Sequence, residues 1–138
     1  MIIALCTYVV PSQASEKIYF ERIKDLIFIQ IENANNIILT TEVEWISFCS
    51  SNGILEIPEI DFEKYMVAGV FLGVKPNPGY GVEITSIKKK NKTIFIKSLE
   101  YIPNPLEGYI QVVAYPYDIV LFPKIDGEII FSSFIIIR

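Results

Sequence analysis

Histidine is absent from this 138-residue chain. That omission removes Ser-His-Asp and Cys-His nucleophile pairs, imidazole bases and imidazole metal ligands. Cysteine is scarce. Cys6 and Cys49 stand in no Cys-x-x-Cys spacing, so neither a disulfide scaffold nor a thiolate metal site is expected. Both lie among apolar residues, where a free thiol behaves as a small hydrophobe. Whether they bridge depends on a Cα separation that sequence does not set. Positive charge is in deficit, with 12 Lys and Arg against 16 Asp and Glu and a net charge of −4. Nucleic acid is therefore not an expected partner, because phosphate binding needs a basic face that releases counterions. The one basic run, Lys88-Lys89-Lys90-Asn91-Lys92, carries no interleaved aromatics and reads as a solvated turn between strands.

Long apolar runs are lacking too. A membrane-spanning helix needs about 20 apolar residues. Residues 2–10 form too short a run, and Ser132 and Ser133 interrupt residues 129–137. No integral membrane segment is expected. No Lys or Arg precedes residues 2–10, so the positive n-region of a signal peptide is missing. Residues 1–14 read as a strand in preference to a degenerate signal segment.

What is present is β-forming. Hydrophobic residues make up 51% of the chain, led by Ile with Val, Phe and Tyr behind it. These types suit a pleated, half-buried surface. Residues 26–31 and 37–39 read as strands around an Asn33–Asn36 turn, and residues 67–72 as a strand buried on both faces. Residues 82–85 alternate, residues 93–99 answer them across the lysine turn, and residues 109–114 and 118–122 follow. Asp126-Gly127 signals a hairpin into residues 129–137. One helix is predicted from Glu42 to Cys49, capped by Thr41 with Glu44 completing a capping box, anchored by Trp45 and stopped by Gly53. The fold class expected is mainly β: an antiparallel β-sandwich or open barrel with one short α-helix. The expected organisation is one domain over residues 1–138. Its core spans about residues 55–125, with the N-terminal strands and the helix, residues 41–49, packed on it.

The chemistry is thin. Asp61, Glu63, Glu83 and Glu100 could in principle serve a two-carboxylate glycosidase, but no spacing implies that any pair converges. They read as a solvated acidic face. The loop 73–81 ends in no Gly-Lys-Ser/Thr and follows no βαβ pattern, so it is not a phosphate loop. Its distinctive property is stiffness. Pro76 and Pro78 fix φ, Gly79 and Gly81 permit close approach, and Tyr80 offers a large ring with a polar tip. A preordered loop loses little entropy on binding. Tyr80 either projects as an anchor or folds back onto the sandwich; the residues allow both. Pro103 and Pro105 stiffen a second loop. The expected binding residues are Lys75, Pro76, Asn77, Pro78, Gly79, Tyr80, Gly81, Pro103 and Pro105. No catalytic residue, metal or cofactor is expected.

The central segment resembles the C-terminal domain of the protease complex subunit PrcB family. The residues that carry the resemblance are Asp61-Phe62, residues 67–73, Lys75-Pro76, Gly79-Tyr80, Glu83-Ile84, Pro103, Pro105, Gln111 and Tyr115-Pro116-Tyr117. Asn77 and Pro78 stand where members of that family often carry Thr or a second Gly. The resemblance implies a noncatalytic accessory subunit that associates with and stabilises a bacterial protease complex, so the expected partner is a protein, a protease first of all. It also implies the cell envelope or secretion, although Ile3-Ala4-Leu5-Cys6 makes a poor lipobox. Two other readings stay open: a protease inhibitor presenting loop 75–81, and a carbohydrate or small-ligand β module using exposed Tyr rings. The sequence sets neither the partner's identity nor the oligomeric state.

Overall fold

Alternating burial along the strands sorts the chain into layers. The computed structural model describes residues 14–24, 26 and 29–138. In chain order its elements are β1 (Glu16–Ile18), β2 (Glu21–Arg22), β3 (Asn35–Leu39), α1 (Glu42–Ser51), β4 (Tyr65–Phe71), β5 (Gly81–Lys90), β6 (Thr93–Ile102), β7 (Tyr117–Pro123) and β8 (Glu128–Ile137). They form two four-stranded sheets, ordered β1-β5-β6-β8 and β2-β7-β4-β3. Among the described residues the architecture is a sandwich, mainly β, with one short helix and no closed barrel.

β4 explains how the layers stack. Met66, Ala68 and Val70 point between the sheets and meet Ile84, Ile96 and Phe122. Val67 and Phe71 point the other way, under a layer that holds Trp45, Cys49 and Leu39. A strand buried on both faces needs an unbroken apolar run, and residues 66–71 are all buried. At about 25 cal/mol per Å2 of apolar surface removed from water, these two clusters supply the main drive to fold.

α1 forms where its caps allow. Thr41 adopts an extended backbone at the N-cap, and its Oγ1 accepts a hydrogen bond from the Glu44 N–H at 3.2 Å. Glu44 Oε1 in turn accepts from Thr40 N–H at 3.2 Å. The Thr40 amide and the Thr41 hydroxyl hold the Glu44 carboxyl below its ordinary value. Gly53, at φ +72°, takes the left-handed conformation that stops the helix. Trp45 is buried to 1% exposure and donates its indole N–H to the Pro58 carbonyl at 2.8 Å.

The chain crosses from the first sheet to the second at Tyr19-Phe20, between β1 and β2, which closes one side of the sandwich. On the opposite side, between the edges of β3 and β8, the described residues leave a groove of about 300 Å3 touching Asn36, Val70, Ser98 and Ser133. Arg22, Asp118 and Ile84 tie the sheets together. Arg22 Nε lies 3.1 Å from Asp118 Oδ2, which also accepts the Ile84 N–H at 2.7 Å. Arg22 donates to the Ile84 carbonyl as well.

Four sequence expectations need correction. Within residues 26–31 the described positions form no strand; Leu26 and Ile29 are instead buried beneath the helix layer, where Tyr117 Oη donates to the Leu26 carbonyl at 2.7 Å. Lys88, Lys89 and Lys90 lie in β5, and the turn is Asn91-Lys92, with Asn91 at φ 57°. Asp126-Gly127 does not close a hairpin, because β7 and β8 belong to different sheets and β8 runs parallel to β6. Glycine is needed there for close approach: a Cβ on Gly127 would stand 2.7 Å from the Lys92 carbonyl oxygen. Residues 109–114 are not a strand but a loop, whose backbone pairs with described residues through a Lys75–Ala114 bridge. The reading of residues 1–13, Cys6 included, lies outside the described residues.

Candidate functional site: two interlocked loops

The 73–81 loop leaves β4 under tight constraint. Gly73 sits at φ +79°, and a Cβ there would meet the Glu32 carbonyl oxygen at 2.8 Å. The next residue, Val74, donates its N–H to that same oxygen at 3.0 Å. Lys75 then pairs with Ala114 through hydrogen bonds of 2.8 and 2.9 Å, fastening this loop to the segment before β7. Pro76 and Pro78 are exposed. Between them Asn77 Oδ1 accepts the Gly79 N–H at 2.9 Å, a side-chain turn that fixes the bend.

Gly79 is the contact between the two loops predicted to bind. It is buried, and a Cβ on it would lie 2.7 Å from Pro103 Cβ and 2.8 Å from Tyr109 Cε1. Pro103 is half-buried against it, and the neighbouring Asn104 donates its N–H to the Arg138 carbonyl at 2.9 Å. Asn104 Oδ1 also accepts the Leu106 N–H at 3.0 Å, turning the chain around exposed Pro105. Gly81 opens β5 opposite Tyr101. The structure thus brings residues 75–81 together with Pro103 and Pro105 at one end of the sandwich.

Tyr80 takes a middle course. Its ring is half-buried, and the Lys75 ammonium stands 5.3 Å from the ring centroid. Tyr101 is covered in the same way by the Arg138 guanidinium, 4.4 Å from its centroid. Tyr101 also donates to Glu83 Oε2 at 3.1 Å, and that bond raises the phenol's pKa. Burial and a hydrogen bond to Glu107 raise that of Tyr109.

Part of the outward-facing apolar surface, Ile110, Val112 and Val113, comes from residues that sequence reading placed in a strand. Leu106 is 91% exposed and Ile110 73%, and Val112 and Val113 are exposed beside them. Val74, the residue before Lys75 of the Lys75–Ala114 bridge, is exposed as well. The available signal was the bracketing by Pro103, Pro105 and Pro116, which deny the segment regular ladder partners.

The four candidate carboxylates fall at three places. Asp61 and Glu63 share one turn before β4, where Asp61 Oδ1 accepts the Glu63 N–H at 3.0 Å. Glu83 is engaged by Tyr101 and by Arg22, 3.4 Å away. Glu100 borders the open groove. Among the described residues no three His, Cys, Asp or Glu side chains cluster in a way that could hold a metal ion. No helix among them is long and apolar enough to cross a membrane.

β4 through β7, with both loops, form one continuous stretch, and that stretch carries the similarity. Residues 66–123 match the family described as PrcB C-terminal. The PrcB C-terminal match begins one residue into β4 and ends with β7, so it takes in both loops and leaves out α1 and β8. It covers less than half of the chain. No curated protein and no solved structure matches the chain.

Proposed function

We propose that this chain is a noncatalytic protein-binding domain, acting as an accessory subunit that stabilises a bacterial protease complex. The observation that carries the reading is the stiff double loop. Gly79 locks against Pro103 and Tyr109, and the locked pair presents Leu106, Ile110, Val112 and Val113 to solvent. Exposed apolar side chains on a constrained backbone are what a protein interface needs, since little loop entropy is lost on docking. The resemblance to the PrcB C-terminal family supplies the kind of partner. No residue is assigned a catalytic role.

The test is affinity capture from the native host with the immobilised chain, followed by identification of the copurifying proteins. A protease captured by the parent chain, and lost by at least about tenfold with Leu106→Asp plus Ile110→Asp, supports the reading. Unchanged capture by that variant and by Tyr80→Ala refutes the site. Incubation with the captured protease separates two roles: a stabilising subunit preserves turnover over time, whereas an inhibitor slows it at once.

A further inference from the structure

The two outer faces of the sandwich differ. α1 and its layer cover the sheet that holds β4. On the other sheet, β1-β5-β6-β8, the outward side chains stay bare. Register shows which residues those are, since directly paired residues share a face. Lys17 pairs with Lys88, Lys88 with Phe95, and Phe95 with Ile130. Further along, Lys97 pairs with Ser132, Leu99 with Phe134 and Tyr101 with Ile136. Their neighbours Ile87, Ile94, Ile96 and Phe131 point into the core. Phe95, Ile130, Phe134 and Ile136 are exposed, Phe134 by 54%.

Lys17, Lys88, Lys90, Lys97 and Arg138 therefore rise from one face, in a chain whose net charge is −4. Two cross-strand contacts fix the geometry. The Lys97 ammonium stands 4.3 Å from the Phe134 ring centroid, and the Arg138 guanidinium 4.4 Å from that of Tyr101. Arg138 reaches toward β5, where a Cβ on Gly81 would lie 3.6 Å from its Nη2. The carboxylates of this face are Glu83 and Glu128, and Glu83 is engaged by Tyr101 and Arg22. The ion pairs among the described residues both belong to Arg22, so they neutralise none of the five cations. Lys17 and Lys88 stand directly opposite each other, an arrangement that costs stability unless an anion relieves it. Acidic side chains gather instead near the helix, with Glu42, Glu59, Asp61 and Glu63 around one hollow.

We propose that this bare sheet face docks on a bilayer surface rich in anionic phospholipid. Such a surface takes both kinds of side chain at once. Lipid phosphates meet the cations, and Phe95, Ile130, Phe134 and Ile136 settle at the boundary between headgroups and acyl chains. Lysine suits that place, because its apolar stem lies along the rings while its ammonium stays in water. Four of the five cations are lysines, whereas the centres of protein interfaces are depleted of lysine and enriched in arginine. Stacking of nucleic-acid bases needs free ring faces, and here Lys97 and Arg138 stand over Phe134 and Tyr101. The chain would lie on the membrane without crossing it. This inference does not depend on the proposed function.

The test is co-sedimentation of the 138-residue chain with two kinds of vesicle, phosphatidylcholine alone and phosphatidylcholine with roughly 30% phosphatidylglycerol. The parent chain should bind the anionic vesicles at least about tenfold more tightly than the neutral ones. Raising salt from about 0.1 M to about 1 M should release most of it, because the screening length falls from about 10 Å to about 3 Å. Lys88→Gln plus Lys90→Gln should weaken binding about fivefold for each lysine, or about 25-fold together. Lys24→Gln, outside this sheet, should leave binding unchanged. Ile130→Thr plus Phe134→Thr keeps every charge and β-forming side chains, and should weaken binding about fivefold or more. All these positions are exposed, so the fold is kept. Equal binding to both vesicles overturns the proposal, as does indifference to either double variant. If the chain ignores both vesicles but binds a polyglutamate peptide or a single-stranded thymidine oligomer through Lys88 and Lys90, the face serves a different class of anion and the proposal falls.

Discussion

Replacing Gly79 with alanine tests whether the two loops are locked as described. The added methyl would stand 2.7 Å from Pro103 Cβ and 2.8 Å from Tyr109 Cε1 and Cζ. Carbon atoms pack comfortably from about 3.5 Å. Tyr109 is half-buried and its ring can swing aside. Pro103 cannot, because its ring is rigid and the next residue is fastened to the Arg138 carbonyl. The strain therefore falls on backbone. Forcing one methyl into a packed site costs about 1–3 kcal/mol. Restricting the unfolded chain returns about 0.4–1 kcal/mol. The net expectation is a loss of about 1–2 kcal/mol, or a melting temperature lower by about 3–7 °C for a chain of this size. Thermal and urea unfolding read it directly. Tyr109→Ala should relieve part of the clash, so the double variant should be more stable than the sum of the single losses by about 0.5 kcal/mol or more. A melting temperature unchanged within about 1 °C, or strict additivity, would refute the interlocked loops.

Trp45→Phe should cost about 2–4 kcal/mol in urea unfolding, since it leaves a gap beside Cys49 and strands the Pro58 carbonyl. Asp118→Ala should cost about 1–3 kcal/mol, because the buried Ile84 N–H loses its acceptor; Asp118→Asn keeps an acceptor and should cost less. Burial outweighs the Ile84 amide and Arg22 and raises the Asp118 pKa, so the folded chain holds that proton more tightly than the unfolded chain does. Its contribution to stability therefore falls as pH rises from the ordinary aspartate range through the folded value, and Asp118→Asn should flatten that part of a pH series of urea midpoints. Burial also pushes the Cys49 thiol up to about 11, so alkylation at pH 8 should label it only after unfolding; rapid labelling of the native chain would contradict its burial.

Local rules carried far where they acted alone. The capping box at Thr41 and Glu44 and the stop at Gly53 were legible because each depends on a few adjacent residues. The unbroken apolar run of β4 announced burial on both faces, and burial on both faces is what the structure has. The site was half legible. Prolines and glycines marked both loops, but they did not say that Gly79 presses on Pro103 and Tyr109. Reading residues 109–114 as a strand hid Ile110, Val112 and Val113, whose β-forming side chains face solvent because, among the described residues, the segment has a single bridge in place of a ladder.

By itself, then, the sequence determined the β-rich class, the helix with its caps, the stiffness of the loops and the absence of histidine chemistry. These follow from composition and short-range geometry. Only tertiary structure decided which edges meet. Asp126-Gly127 shapes a bend but cannot choose the sheet that the next strand joins, and β8 went parallel to β6 because distant strands left that edge free. Partner choice is a long-range property: it depends on which surfaces the rest of the chain has already covered.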